Sequence, residues 1–166
     1  MRQVSGHRTA RPLPWALALL VAACGGSNTL EGSLGEVVDL RFDGVEVSVT
    51  DSAVTVGYFR RKGEARDLVF KLVLDSPPGN VVHEIQTDLS PTPDGRPRAS
   101  VTRSVAEDPI RTYAAIKHGF VRFDGPLELD RPASGELRVT LGAGGDAGEG
   151  RTAFGTFSVE RVVPGS

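Results

Sequence analysis

Few side chains in this sequence could do chemistry, and Cys24 is foremost because it is the only cysteine. It cannot form a disulfide within the chain, so its thiol is free for another purpose. His83-Glu84 opens like the HExxH of zinc proteases, but position 87 is threonine. That motif needs two histidines one turn apart on a helix, and this segment reads as a strand. His118 has no histidine or cysteine at metal-ligand spacing. No GxSxG or SxxK marks a serine nucleophile. The glycine run at 142–150 lacks the GK[ST] of a phosphate-cradling loop. Asp146 and Glu149 within it would hold calcium only loosely, and the run reads more simply as a mobile hairpin loop. Any two of the acids could meet as a hydrolytic pair, yet no pair is singled out. The sequence therefore predicts no catalytic residue, no metal site and no cofactor, and a protein that is not an enzyme.

The thiol gains meaning from what precedes it. Residues 1–12 carry Arg2, Arg8 and Arg11, and residues 13–23, LPWALALLVAA, form an apolar run. That run is of signal-peptide length, well short of the roughly 20 residues a spanning helix needs. It ends in Val21-Ala22-Ala23-Cys24, followed by Gly25, Gly26 and Ser27. This sequence resembles the bacterial lipobox: an aliphatic residue, two small ones and an obligatory cysteine. The resemblance implies cleavage between Ala23 and Cys24 and acylation of the Cys24 thiol. Each buried CH₂ contributes about 0.8 kcal/mol, so two long acyl chains would make attachment to membrane lipid effectively permanent. The expected organisation is a signal peptide over 1–23, a lipidated tether over 24–35 and one domain over 36–166. The expected place is a bacterial cell envelope. Gly25 offers no acidic retention signal, which points to the outer membrane.

Composition narrows the partners. The chain has net charge −2, and residues 1–23 hold three arginines and no acid, so the remainder is more acidic still. An acidic domain is a poor match for nucleic acid, which rewards a basic surface. Lysines occur only at 62, 71 and 117, and the arginine excess reads as codon bias rather than as a set of anion clamps.

Past the tether, apolar residues alternate with period two, the mark of half-buried strands. Val38, Leu40 and Phe42 share one face. Beyond Asp43-Gly44 the phase flips to Val45, Val47 and Val49, as a hairpin or a bulge would require. Asp51-Ser52 turns the chain into Val54, Val56 and Tyr58. The segment RRKGEARD at 60–67 reads as a charged tip leading to Leu68, Phe70, Leu72 and Leu74. Its Arg60, Arg61, Lys62 and Arg66 could meet anionic lipid head groups, although Glu64 and Asp67 are interleaved. The prolines at 77 and 78 force a turn before Val81, His83 and Ile85. A weaker strand is expected through Ala99, Val101 and Val105, and strand or irregular structure through 106–118. Two strands at 120–123 and 127–129 would flank the turn at Asp124-Gly125. Leu137, Val139 and Leu141 form a further strand. The last strand carries Phe154, Phe157, Val159 and Val163, with a bulge expected at Gly155. RFDG occurs at 41–44 and at 122–125, which suits a shared turn better than a duplicated half-domain. About eight to ten short strands without helical spacing predict an all-β antiparallel sandwich, or a barrel-like variant.

The stretch TLEGSLGEVVDLRFDGVEVSVTDSAVTVGYFRR and the closing Gly155-Thr156-Phe157-Ser158-Val159 are similar to small lipoproteins of the myxobacterial type. The likeness covers the ends of the domain better than its middle and implies no activity, cofactor or catalytic residue. The expected function is an envelope lipoprotein whose sandwich serves as an interaction or structural module, its partners meeting strand edges or loop tips. A surface glycan or small-ligand binder is the next reading, with Tyr58, Tyr113 and the phenylalanines as the available aromatics. A hydrolase with a dispersed acid pair is the third.

Overall fold

A computed structural model describes residues 28–165. The expected signal peptide and lipobox, Val21, Ala22, Ala23 and Cys24 included, lie outside the described residues. Nine strands follow in chain order: β1 (Gly44–Val49), β2 (Val54–Lys62), β3 (Ala65–Leu74), β4 (Thr87–Asp88), β5 (Ala99–Ser104), β6 (Ile116–Phe123), β7 (Ala133–Leu141), β8 (Thr152–Val159) and β9 (Val163–Pro164). They form two sheets, ordered β5-β3-β2-β1-β9 and β4-β6-β7-β8. The domain is an all-β sandwich. Its pairing is antiparallel apart from β9, which lies parallel to β1 at Ser48 and Val49. Among the described residues no helix is long and apolar enough to cross a membrane.

The alternating valines and leucines build the core. Val47, Val54, Val56, Leu72, Val121, Leu137 and Val139 are buried between the sheets, each contributing about 1.5–3 kcal/mol by leaving water. Tyr58 is fully buried, and its hydroxyl donates to the Thr156 carbonyl on the opposite sheet at 3.1 Å. Burial pushes its ionisation well above the usual tyrosine range, so it stays a neutral donor. Edge-to-face contacts extend the packing through Phe42–Tyr58, at 4.9 Å, and Phe123–Phe157, at 5.2 Å.

Several expected elements are corrected. Residues 28–35, expected as the end of a tether, are packed onto the domain. Leu30 and Leu34 are buried, and the segment is hydrogen-bonded along β8 before a short 3₁₀ turn at Ser33–Glu36. Val38 and Leu40 are buried as their spacing implied, yet no strand pairs with them. Their segment is held by the buried Arg103, whose Nη1 donates to the carbonyls of Asp39 and Val69 at 2.9 and 2.8 Å. Asp43 and Gly44 form no hairpin: the Asp43 N–H bonds the Phe59 carbonyl while Gly44 also pairs with Phe59, the two-against-one pattern of a bulge.

The charged tip at 60–67 is mostly ladder, with Arg60 opposite Asp67 and Arg61 opposite Arg66. A register shift sets Phe59 opposite Leu68 and Tyr58 opposite Phe70, so Val69 is buried and Leu68 leaves the Phe70 face. Only Thr87–Asp88 forms a strand in the stretch after the prolines. His83 and Ile85 are exposed there, and Glu84 has a φ of 62°. Residues 127–129 form no hairpin partner for β6. Leu129 makes a lone parallel bridge to Val162. β8 has no bulge at Gly155: its register with β7 is continuous, so Ala153, Gly155 and Phe157 face inward and Phe154 faces out. The two RFDG copies differ in role, one leading into β1 and the other closing β6.

An arginine-lined cleft at the edge of β1

Sheet edges decide where this sandwich can meet another chain. Along β8 the edge is occupied by the protein itself. Thr29 N–H donates to Thr156 O at 3.0 Å, Glu31 and Phe154 exchange bonds at 2.8 and 2.9 Å, and the Asn28 side chain accepts from Ser158 N–H at 2.6 Å. β1 is treated differently. The Thr50 N–H to Ala53 O bond fixes the ladder phase with β2. By alternation the backbone groups of Gly44, Glu46 and Ser48 face β2, and those of Val45, Val47 and Val49 face the other way. β9 pairs with this edge only at Ser48 and Val49, leaving the Val45 end without a strand partner among the described residues.

A cleft of about 510 Å³ wraps round that open end. Gly44, Val45 and Glu46 form one wall, and Ser158 through Arg161 the other. Phe59, Arg61 and Arg66 close it from the outer face of the sheet. The Arg66 guanidinium lies 3.4 Å from the centre of the Phe59 ring and bonds Glu46 at 2.9 Å, which fixes both groups. Gly57 makes room for this stack, because a Cβ there would lie 2.8 Å from the Phe59 ring. The guanidinium groups of Arg61 and Arg161 are exposed and form no ion pair among the described residues, while the Arg61 N–H donates to the Asp43 carboxylate at 2.8 Å. With Glu46 engaged by Arg66, two free guanidinium groups face one exposed carboxylate, Glu160, and the cleft favours an acidic visitor.

The rest of the basic tip is already neutralised. Arg60 bridges Asp39 at 2.8 Å and Asp67 at 3.4 Å, and Lys62 pairs with Glu107. The Asp39 carboxyl is held well below the usual carboxylate range, first by the Arg41 side chain and then by the Arg41 N–H. Asp67 is likewise lowered, chiefly by the Ala106 N–H, with Arg60 adding to it. Of the four tip cations, Arg61 alone has no ion-pair partner among the described residues.

Other expected residues stay apart. His83 and His118 are exposed on separate elements, and no group of metal-binding side chains occurs among the described residues. Asp146 is tied down rather than mobile: its carboxylate accepts from Thr112 N–H at 2.7 Å, and Glu149 pairs with Lys117 at 3.3 Å. Tyr58 is core. Phe120 and Phe154 flank Arg138 on the outer face of β6-β7-β8, beside a shallow groove of about 270 Å³. Sequence reading missed Arg161 and the Val45 edge. The only available signal was the shortness of the apolar stretch after Glu160, which leaves β9 too brief to cover β1.

Fold and site together define a two-sheet β-sandwich whose β8 edge is covered by the chain itself and whose β1 edge is arginine-lined and, at Val45, without a strand partner among the described residues. Comparison with family models, with curated proteins and with solved structures finds no match.

Proposed function

We propose that this protein is a bacterial envelope lipoprotein, held by acyl chains on Cys24, whose sandwich is a non-enzymatic module for binding another polypeptide. An extended acidic segment of the partner would add to β1 at Val45, with its side chains reaching Arg61 and Arg161. The outer membrane is the favoured address, because residue 25 is glycine rather than an acid. The observation that carries the binding reading is the open half of β1: its backbone groups are directed outward, and strand addition satisfies such groups. Glu46 is salt-bridged and Glu160 is exposed, so the cleft offers no buried carboxylate pair for hydrolysis.

The test joins both parts of the reading. Cells fed an alkyne-tagged palmitate should label the wild-type chain and leave Cys24→Ala unlabelled. Affinity capture in mild detergent should recover a partner with the wild-type chain and lose it with Val45→Pro. Label on both chains, or capture indifferent to the proline, would refute the corresponding half. The Phe120–Arg138–Phe154 row supports a second reading, a glycan platform. Binding of a specific glycan that Phe154→Ala abolishes would favour it.

A further inference from the structure

Asn28, Thr29 and Glu31 are bonded to β8, so the chain is held in the fold at residue 28, four residues after Cys24. Four residues span at most about 14 Å even when fully extended. Ser158, whose N–H holds the Asn28 side chain, also lines the arginine cleft. The cleft therefore adjoins the exit point of the chain. The hairpin at Asp51-Ser52 lies at the other end of β2, about 30 Å away at roughly 3.3 Å per residue.

From this leash, and resting on the acylation of Cys24 proposed above, we infer that the sandwich stands with its Ser158–Arg161 end against the bilayer. The cleft then takes an acidic extended segment that another membrane-held protein presents at the membrane surface. A soluble partner would have to insert its segment into the narrow gap between domain and lipid. Lipid head groups are the poorer occupant because the outward backbone groups of Val45 call for a peptide ladder, which a head group cannot supply. A partner anchored beside this protein meets the cleft at the height where the leash holds it.

The full-length acylated chain, reconstituted in phosphatidylethanolamine–phosphatidylglycerol vesicles with nitroxide-labelled head groups, tests the orientation. Acylated Cys24 leaves an introduced cysteine as the only reactive thiol, so a fluorophore can be placed by Glu160→Cys or Ser52→Cys. Quenching should be several-fold greater at 160 than at 52. Equal quenching, or the reverse, would overturn the inference. Inserting about 20 Gly/Ser residues between Ser27 and Asn28 gives a reach of roughly 25 Å and should erase the difference. Its persistence would mean that something other than the leash orients the domain. Intact mass separates the two readings, because an unacylated chain defeats the anchored reading itself. For the occupant, a photoreactive residue replacing Glu160 in the native envelope should cross-link to a chain segment next to another protein's membrane anchor. That product should vanish with Val45→Pro. Cross-links to lipid alone, or to a soluble protein, would overturn the assignment.

Discussion

The β8 edge and the β1 edge pose the same physical problem, a row of unpaired backbone groups, and the protein treats them differently. At β8 the chain lays its own residues 28–31 along the strand and locks them with Leu30 and Leu34 in the core. At β1 it supplies a strand of two residues, β9, which stops short of Val45. Exposed edges invite pairing with other chains, and folds usually blunt them. At this end of the sandwich one edge is covered by the chain itself, while half of the other lies bare beside arginine side chains and is open to strand addition. Residues 28–35, which read in the sequence as part of a tether, are spent on covering β8.

The largest effect is expected where the closed edge is pinned. Leu34 is 2% exposed, so Leu34→Ala should cost about 3 kcal/mol, the transfer term plus a cavity. Denaturant melts measure this directly. A change under about 0.5 kcal/mol, typical of a surface position, would return residues 28–36 to the status of a tether. Next comes Gly155→Val. A Cβ at Gly155 would sit 2.2 Å from Thr29 O and 3.1 Å from the Tyr58 hydroxyl. The strand must shift, at a cost of about 2 kcal/mol, and amide exchange at Thr29 and Glu31 should accelerate before the rest of β8. Unchanged protection there would mean that the segment does not depend on this approach.

These residues show what the sequence made legible. Period-two alternation located β1, β2, β5 and β7 because their inward positions face a dry core, and the turn at Asp51-Ser52 followed from residue type. The all-β sandwich was readable for the same reason. Other features depend on contacts distant in sequence. The period-two signal in Val38, Leu40 and Phe42 was real burial, but Arg103, from β5, holds that segment where a ladder was expected. The inserted Val69 broke the phase in β3 without any glycine or proline to mark it. Thr29, Leu30 and Leu34 stand among glycines and serines that look like a linker, and only the exposed edge of β8 gives them a role. The cleft was half legible. Arg61 and Arg66 were noticed as charge, whereas Arg161 and the open backbone of Val45 arise from the strand order, which no local pattern encodes.

A smaller effect lies in the charges beside the cleft. Asp39 and Asp67 both have folded-state values depressed below the ordinary carboxylate value near 3.9. Their contribution is therefore present above roughly pH 4 and is lost as pH falls through the folded-state values. Asp39 is partly exposed and Arg41 almost fully so, so solvent screening keeps the Asp39 share modest. Asp39→Asn should flatten the acid limb of the stability curve between about pH 4 and pH 2 while leaving stability near neutrality only slightly lower. An acid limb identical to that of the wild type would show that the Arg41–Asp39–Arg60 chain of charges does not couple to folding.

The smallest expected stability change belongs to the substitution that matters most for binding. Proline at position 45 removes an N–H that faces away from β2, and an edge position of this kind tolerates the ring. Val45→Pro should thus cost less than about 1 kcal/mol, the worth of a single hydrogen bond or less. Ser48→Pro is its counterpart. The Ser48 N–H faces Thr55 across the ladder, so its loss leaves a carbonyl of β2 unpaired, at about 2 kcal/mol. If Val45→Pro melts early and Ser48→Pro melts like the wild type, the assigned ladder phase is wrong. If Val45→Pro melts as early as Ser48→Pro, the Val45 edge is already engaged within the fold, and the open edge is not available to a partner. A mild loss at 45, a larger one at 48 and abolished capture at 45 alone would separate folding from recognition along one strand. Adjacent residues point their backbone groups in opposite directions, so β1 can be read as structure on one side and as a binding site on the other.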